Sequence, residues 1–408
     1  MNRTFVIVGA SLAGGKAAEA LRNEGYDGRV VLVGAEPERP YERPPLSKDL
    51  MLGKASKEQA FLHPEQWYAE HDIELRLATR AIGIDRAAHE VELAGGERIG
   101  YDKLLLATGS VVRRLDLPGA DADGVLTLRT LTDSERITAV LREGARLVVV
   151  GAGWIGLEVA AAGRLHGAAV TVVEQADLPL QRVLGDELAA VFRDLHVGHG
   201  VDFRFGATLA RFQTDGGRVS GVVLGDGTEL PADAVVVGVG IRPATELAEA
   251  AGLAVDNGVL TDAGMRTSDP DIYAAGDVAN RDHPVLGRRI RVEHWANALN
   301  GGPAAARAML GKDADYNDLP YFYTDQYDLG MEYAGYVEPG GYEAVVYRGT
   351  PGPAEEFIAF WTSGGRVLAG MNVNVWDVSD AIQALVRSGK PIDPARLADP
   401  DVPLTDLA

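Results

Sequence analysis

The chain has 408 residues, 46% hydrophobic and 24% charged, the profile of a globular protein with length for roughly two or three domains. Lys and Arg number 39 against 59 Asp and Glu, a net charge of −20, and a field of that sign excludes nucleic acid and anionic membrane surfaces as main partners. Cysteine is absent, which rules out disulfides, thiolate zinc sites, cysteine-ligated iron–sulfur clusters and a redox-active Cys pair, so any electrons moved must travel on a bound organic cofactor.

The opening predicts a strand at Thr4–Val8, a glycine-rich turn, a helix from Leu12 to Glu24 and a second strand over Arg29–Glu36. Its apolar run, Phe5–Val8, is shorter than a signal-peptide core, and no segment reaches the length of a membrane span, so a cytoplasmic protein is expected. "HEVEL" reads as a β excursion and Tyr101–Ser110 as a returning buried strand. The opening grammar recurs over Arg146–Gln175, and "VSGVVLGDGTEL" and a strand in Ala234–Glu246 follow it. Asp271–Asn280 adds an apolar strand ending in Gly-Asp. From about Tyr316 aromatic and β-branched alternation, with turns at "EPGGY" and "TSGGR", predicts an antiparallel domain closed by a helix at Ser379–Ser388. The expected fold is α/β: two Rossmann-like nucleotide-binding domains, one inserted in the other, plus a C-terminal α+β domain with an antiparallel sheet. The first domain spans 1–111 and 240–315, the inserted one 112–239 and the last 316–408.

Two βαβ units imply two nucleotide sites. The second has an intact fingerprint, Gly151-Ala-Gly153-Trp154-Ile155-Gly156, with Glu174 ending the next strand. Its glycines allow close backbone approach, the helix start faces a pyrophosphate, and the carboxylate accepts from a ribose diol. Glu174 would repel a 2′-phosphate, so NADH is expected over NADPH. The first unit, Gly9-Ala-Ser11-Leu12-Ala13-Gly14, carries serine where the pattern has glycine and has its own acid, Glu36. Ser11 is small enough to keep the turn and stands where its hydroxyl could cap the helix.

"YERPPLSKDLM", "LLLATGS", "LRTLTDS", "GAGWIGLEVA", "AAGDVA" and "VEHWANALNGG" together resemble the FAD-dependent, NADH-dependent ferredoxin reductases that serve bacterial oxygenase and cytochrome monooxygenase systems. The resemblance covers essentially the whole chain. It implies FAD at the Gly9 turn, whose serine form is familiar in that family, and NADH at the Gly151 turn. By resemblance, Arg43 and Lys48 lie by the flavin, with Lys48 close to the hydride-accepting ring nitrogen and paired with Glu158; these two are the catalytic candidates. A cation there stabilises the negative charge that a reduced ring gains. The resemblance also assigns Asp277 to the ribityl chain and Arg129, Ala81, Thr108, Gly109, Glu293 and Trp295 to the FAD. It sets Arg182 and Gly240 beside the NADH. Tyr321 and Tyr323 stand where relatives often have tryptophan, a departure in the closing domain.

The function the resemblance implies is transfer of electrons from NADH through FAD to a [2Fe-2S] ferredoxin, and through it to an oxygenase, by a monomer or homodimer. Gly287–Arg291, "ARAMLGK" and Arg387–Lys390 could form a basic rim for an acidic ferredoxin, although solvated surface charge is the plainer reading. Two alternatives use the same motifs: a flavin enzyme whose acceptor is quinone or oxygen, and an NADH-responsive interaction protein resembling apoptosis-inducing factor.

Overall fold

Every second residue of the opening strand, Thr4–Val8, points to the same face, and both faces are apolar. Phe5 and Ile7 enter one buried cluster with Leu21, Tyr273 and Met309, while Val6 and Val8 enter another with Val91, Leu104 and Val259. A strand covered on both sides belongs in the middle of a parallel sheet. In the computed structural model, which describes residues 3–408, it does lie there. The sheet runs Ile272–Ala274, Lys103–Leu106, Thr4–Val8, Arg29–Val33, Ile73–Arg76, all parallel, the doubly wound order with the first strand central. Each fully buried aliphatic or aromatic side chain contributes roughly 1.5–3 kcal/mol.

This sheet belongs to the first of two compact units, which comprises residues up to Arg43, Lys57–Val111 and Ile241–Pro320. Its helices Leu12–Asn23 and Trp295–Met309 pack closely: a Cβ at Gly302 would lie 2.2 Å from the Ala13 carbonyl oxygen. The β excursion is a three-stranded antiparallel sheet of Ala81–Asp85, Glu90–Leu93 and Arg98–Gly100.

The second unit comprises Pro44–Ser56, Val112–Gly240 and Tyr321–Ala408. Its strand Arg146–Val150 repeats the two-sided pattern, with Leu147 and Val149 in one cluster and Val148 and Val150 in another. The parallel sheet runs Asp202–Arg204, Ala169–Val173, Arg146–Val150, Ala234–Val237, Val125–Leu126. A second sheet, antiparallel, runs Tyr321–Gln326, Leu329–Gly335, Arg366–Val373, Phe357–Ser363, Ala344–Arg348. Met331, Tyr333, Trp361 and Met371 on one face join the cluster that holds Val149 and Val172. The other face is covered by the helix Ser379–Ser388 through Ile382 and Leu385.

Three expected stretches are redrawn. Arg29–Glu36 ends as a strand at Val33, and the Asp271–Asn280 stretch divides at Gly276, whose φ of 77° breaks the strand after Ala274. Pro44–Ser56, inside the expected span 1–111, packs with the second unit, as do the strands and helix of the closing domain. Two prolines hold Pro44–Ser47 as a short 3-10 turn, and the backbone that follows is tied down there. The Leu46 carbonyl accepts from Ser134 Oγ at 2.6 Å, the Met51 carbonyl meets His166 Nε2 at 2.8 Å, and the Met51 side chain is fully buried. Among the described residues no helix is long and apolar enough to cross a membrane, and no cluster of His, Asp and Glu could hold a metal ion.

Candidate nucleotide and flavin site

In the first unit the strand Thr4–Val8 ends at Gly9, whose φ is 121° and where a Cβ would lie 2.0 Å from the Ala107 carbonyl oxygen. At Gly14 a Cβ would lie 1.9 Å from the Gly9 carbonyl oxygen. Both positions therefore need glycine for the turn itself. Ser11 is the N-cap of the helix Leu12–Asn23, but its hydroxyl makes no capping bond. That corrects the expected cap. Its backbone carbonyl starts the helical ladder by accepting from Gly15 N–H at 2.8 Å, and the hydroxyl leaves the first-turn donors, Leu12 to Gly14, to an anion approaching the helix start.

The other candidates of this unit surround the same turn or its sheet. Thr108 N would lie 3.0 Å from a Cβ at Gly9; Thr108 Oγ1 donates to the Ala244 carbonyl at 2.8 Å, and Gly109, with φ 67°, accepts from Ala244 N–H. The turn carrying Asp277 lies on the helix start, since a Cβ at Gly276 would be 3.1 Å from Ala13 Cβ. Glu36 accepts from Tyr41 Oη, and from Arg43 Nη2 at 2.8 Å. Burial opposes the Arg43 charge, but the nearby Tyr41, Glu36 and Asp277 outweigh it and raise its pKa. Trp295 opens the helix Trp295–Met309 and bonds to Glu42, whose carboxyl is pushed up by burial and partly drawn back by that bond. Glu293 pairs with Arg291 at 2.8 Å, and Arg291 also donates to the Asp277 carbonyl at 3.2 Å. Ala81 packs against the cluster holding Val8 and Val33.

The second unit repeats the turn with one informative difference. A Cβ at Gly151 would lie 2.5 Å from the Gly238 carbonyl oxygen and one at Gly156 would lie 2.0 Å from that of Gly151, yet one at Gly153 would meet nothing within 4 Å. Nothing in the chain requires glycine at Gly153, and the open space beside it leaves room for a phosphate to come close to the backbone. Ile155, on the same turn, is 43% exposed despite being apolar. The Glu174 carboxylate accepts from Ala152 N–H at 2.7 Å and Ala176 N–H at 2.9 Å, which aims it along the glycine turn with acceptor capacity left for a diol. Trp154 packs edge-on against Phe192 and Phe322. Arg182 is exposed, and the Gly240 carbonyl accepts from Arg113 N–H at 2.9 Å. Arg129 precedes the helix Leu131–Val140 in this unit, its N–H held by Asp133. Both turns, with their helix-start donors and acids, fit dinucleotides.

Lys48 and Glu158 meet in the second unit. Lys48 Nζ lies 2.8 Å from Glu158 Oε1, with the side chains 12% and 3% exposed. Glu158 also accepts from Thr324 Oγ1 at 2.6 Å and from Ser47 Oγ. A buried carboxylate with three donors meets the requirement that buried charge be paired and hydrogen-bonded. Lys48 Nζ stands 5.3 Å from the Tyr323 ring centroid, so Tyr323 takes a cation–π contact with the ammonium. Tyr321 Oη donates to Glu332 at 2.6 Å, within its own sheet. Sequence reasoning missed Ser47 and Thr324, although both stand beside quoted residues, in "RPPLSK" and "PYFYTDQ". Their signal is a hydroxyl next to each candidate.

Beyond Thr324 the polar contacts continue to His196, which is fully buried. Burial lowers its pKa to about 4, against the opposing bond to Gln326. The folded value lies below the unfolded one, so this contribution to stability is complete above about pH 6.5 and is lost as pH falls towards 4, about 3 kcal/mol in all. Stability of His196→Gln, measured by urea unfolding at pH 7 and pH 4.5, is expected to fall less with acid than that of the parent. An unchanged slope would contradict it.

Of the strings offered as a basic rim, several charges are engaged within the protein. Arg289 donates to the Thr261 and Asn280 carbonyls, Arg291 bonds as above, and Arg307 and Lys312 both pair with Glu24, at 2.8 and 2.7 Å.

Residues 3–302 match the family model described as pyridine nucleotide-disulphide oxidoreductase, and residues 321–408 match the reductase C-terminal model. The ferredoxin–NAD(+) reductase component of the anthranilate 1,2-dioxygenase system of Burkholderia cepacia is 44% identical, over 98% of each chain. Putidaredoxin reductase CamA of Pseudomonas putida is 38% identical, over 100% of this chain and 97% of its own length. The crystal structure of the covalent putidaredoxin reductase–putidaredoxin complex superposes with a TM-score of 0.95 at 37% identity, covering 99% of this chain and 98% of that one.

Proposed function

We propose, since the chain belongs to the pyridine nucleotide-disulphide oxidoreductase family, that it is a flavoprotein oxidoreductase passing electrons from NADH through FAD to a two-iron ferredoxin that serves an oxygenase. The observation that carries this reading is the pair of glycine turns, one on each parallel sheet, each at a helix start and each followed by an acid just beyond the neighbouring strand. The names of the similar proteins, a ferredoxin reductase of a dioxygenase system and a putidaredoxin reductase, support the acceptor. A cytoplasmic location is part of the proposal, because the donor is the cellular NADH pool.

FAD, when bound, supplies the chemistry: it takes two electrons from NADH as hydride and gives them up singly. The chain supplies position and charge. In this reading the Gly9 turn and the Leu12 helix start hold the FAD pyrophosphate, with Glu36 at its adenosine ribose, Arg43 and Asp277 towards the flavin end, and Thr108, Gly109, Ala81, Arg129, Glu293 and Trp295 completing the cofactor contacts. Gly151, Gly153 and Gly156 hold the NADH pyrophosphate, Glu174 its ribose, with Trp154, Ile155, Arg182 and Gly240 alongside. Lys48, oriented by Glu158, offers its ammonium to the charge that the flavin ring gains. No side chain acts as nucleophile, consistent with a chain that has no cysteine.

The purified protein is expected to show a flavin absorption band that NADH bleaches under anaerobic conditions. Without a bound flavin band, the reading fails. Glu174→Ala is expected to narrow the preference for NADH over NADPH by about tenfold, the repulsion of a 2′-phosphate being removed. An unchanged ratio of kcat/KM would take that role from Glu174.

A further inference from the structure

Four side chains extend the buried contacts of Glu158 in one direction. Thr324 Oγ1 donates to Glu158 Oε1 at 2.6 Å, and its oxygen accepts from Gln326 Nε2 at 3.1 Å. Gln326 Oε1 lies 2.8 Å from His196 Nε2, and His196 Nδ1 lies 3.3 Å from Tyr327 Oη. A carbonyl oxygen only accepts, so His196 carries its proton on Nε2. Nδ1 is then the acceptor, and Tyr327 donates to it. Every donor in the series therefore points towards Glu158. Thr324, Gln326 and His196 are buried, at 1%, 1% and 0% exposure, and the neutral imidazole, with its pKa lowered to about 4 by burial, suits this one tautomer. At the far end Tyr327 stacks on the exposed ring of His199, centroids 3.6 Å apart.

We infer that Thr324, Gln326 and His196 form a one-way donor chain that positions Glu158, and through it Lys48, for flavin reduction. The inference rests on the flavin reading above. The chain carries polarity and not protons, because a side-chain amide such as Gln326 keeps its own hydrogens at neutral pH. Aligned hydrogen bonds in a low-dielectric interior strengthen one another, so the donor that reaches Glu158 from Thr324 is held more firmly than an isolated hydroxyl. Chain members other than Thr324 touch neither Glu158 nor Lys48; they are positioning residues.

The test uses the FAD-loaded protein and three readouts. Nitrogen-15 NMR of the imidazoles is expected to show His196 as the neutral Nε2–H tautomer at pH 6; an Nδ1–H tautomer or an imidazolium would overturn the chain. Gln326→Met is expected to slow anaerobic bleaching by NADH about three- to tenfold, the worth of one hydrogen bond, and to lower the flavin midpoint potential. In a Thr324→Val background the same change should have almost no further effect on rate or potential, whereas Thr324→Ser should restore its effect. Equal effects of Gln326→Met in both backgrounds, or none in either, would show that Gln326 acts on fold stability alone and would overturn the inference. Failure of NADH to bleach the parent flavin would overturn the functional reading instead, which the imidazole spectrum distinguishes.

Discussion

Lys48→Met is expected to slow the bleaching of bound FAD by NADH by about a hundredfold, the range set by removal of one preorganised electrostatic group. The reasoning starts from burial. Lys48 is 12% exposed and lies 2.8 Å from a carboxylate that is 3% exposed, so the pair is held in a medium where charge is felt strongly. Methionine matches the length of the stem and removes the ammonium, leaving Ser47 and Thr324 as the donors to Glu158. Removing one partner of a buried pair also destabilises, by about 3 kcal/mol, so the rate must be measured on protein whose FAD content equals that of the parent. Lys48→Arg keeps the charge and is expected to recover part of the rate. A Lys48→Met protein that retains FAD and bleaches at the parental rate would show that Lys48 is a structural partner of Glu158 only.

The second large effect is at Ser11. The first-turn donors of the Leu12–Asn23 helix are not used by the Ser11 hydroxyl, and in the corresponding turn a Cβ at Gly153 would meet only open space. A phosphate brought to this turn occupies that space. Ser11→Phe is therefore expected to lower FAD affinity at least about a hundredfold, or roughly 3 kcal/mol, by filling the approach to the helix start. Ser11→Gly, which restores the common pattern, is expected to bind FAD as the parent does. Equilibrium dialysis and the visible spectrum of the two variants check both. Tight FAD binding by Ser11→Phe would mean that the pyrophosphate lies elsewhere.

Much of the fold was legible because two-sided apolar strands leave few arrangements. Phe5, Ile7, Val6 and Val8 need cover on both faces, and so do Leu147 to Val150, which makes parallel sheets and two βαβ units readable from local pattern alone. The closing helix Ser379–Ser388 was legible for a similar reason, its apolar residues Ile382 and Leu385 recurring at helical spacing. What stayed hidden depends on contacts between distant residues. Pro44–Ser56 lies in the sequence among first-unit strands, and only Ser134, His166 and Glu158, about 90 to 115 positions away, reveal where it packs. The donors to Glu158 were invisible on the same ground: Thr324 is 166 positions distant. The Ser11 cap was expected from local preference, but a helix start in such a turn keeps its donors for a ligand, and preference yields to that.

The most direct measurement is stopped-flow mixing of the anaerobically NADH-reduced protein with an oxidised two-iron ferredoxin and, separately, with oxygen and with a soluble quinone. The account predicts that ferredoxin restores the flavin band at least about tenfold faster than either small acceptor at equal concentration. Reoxidation by ferredoxin no faster than by oxygen or quinone would contradict it.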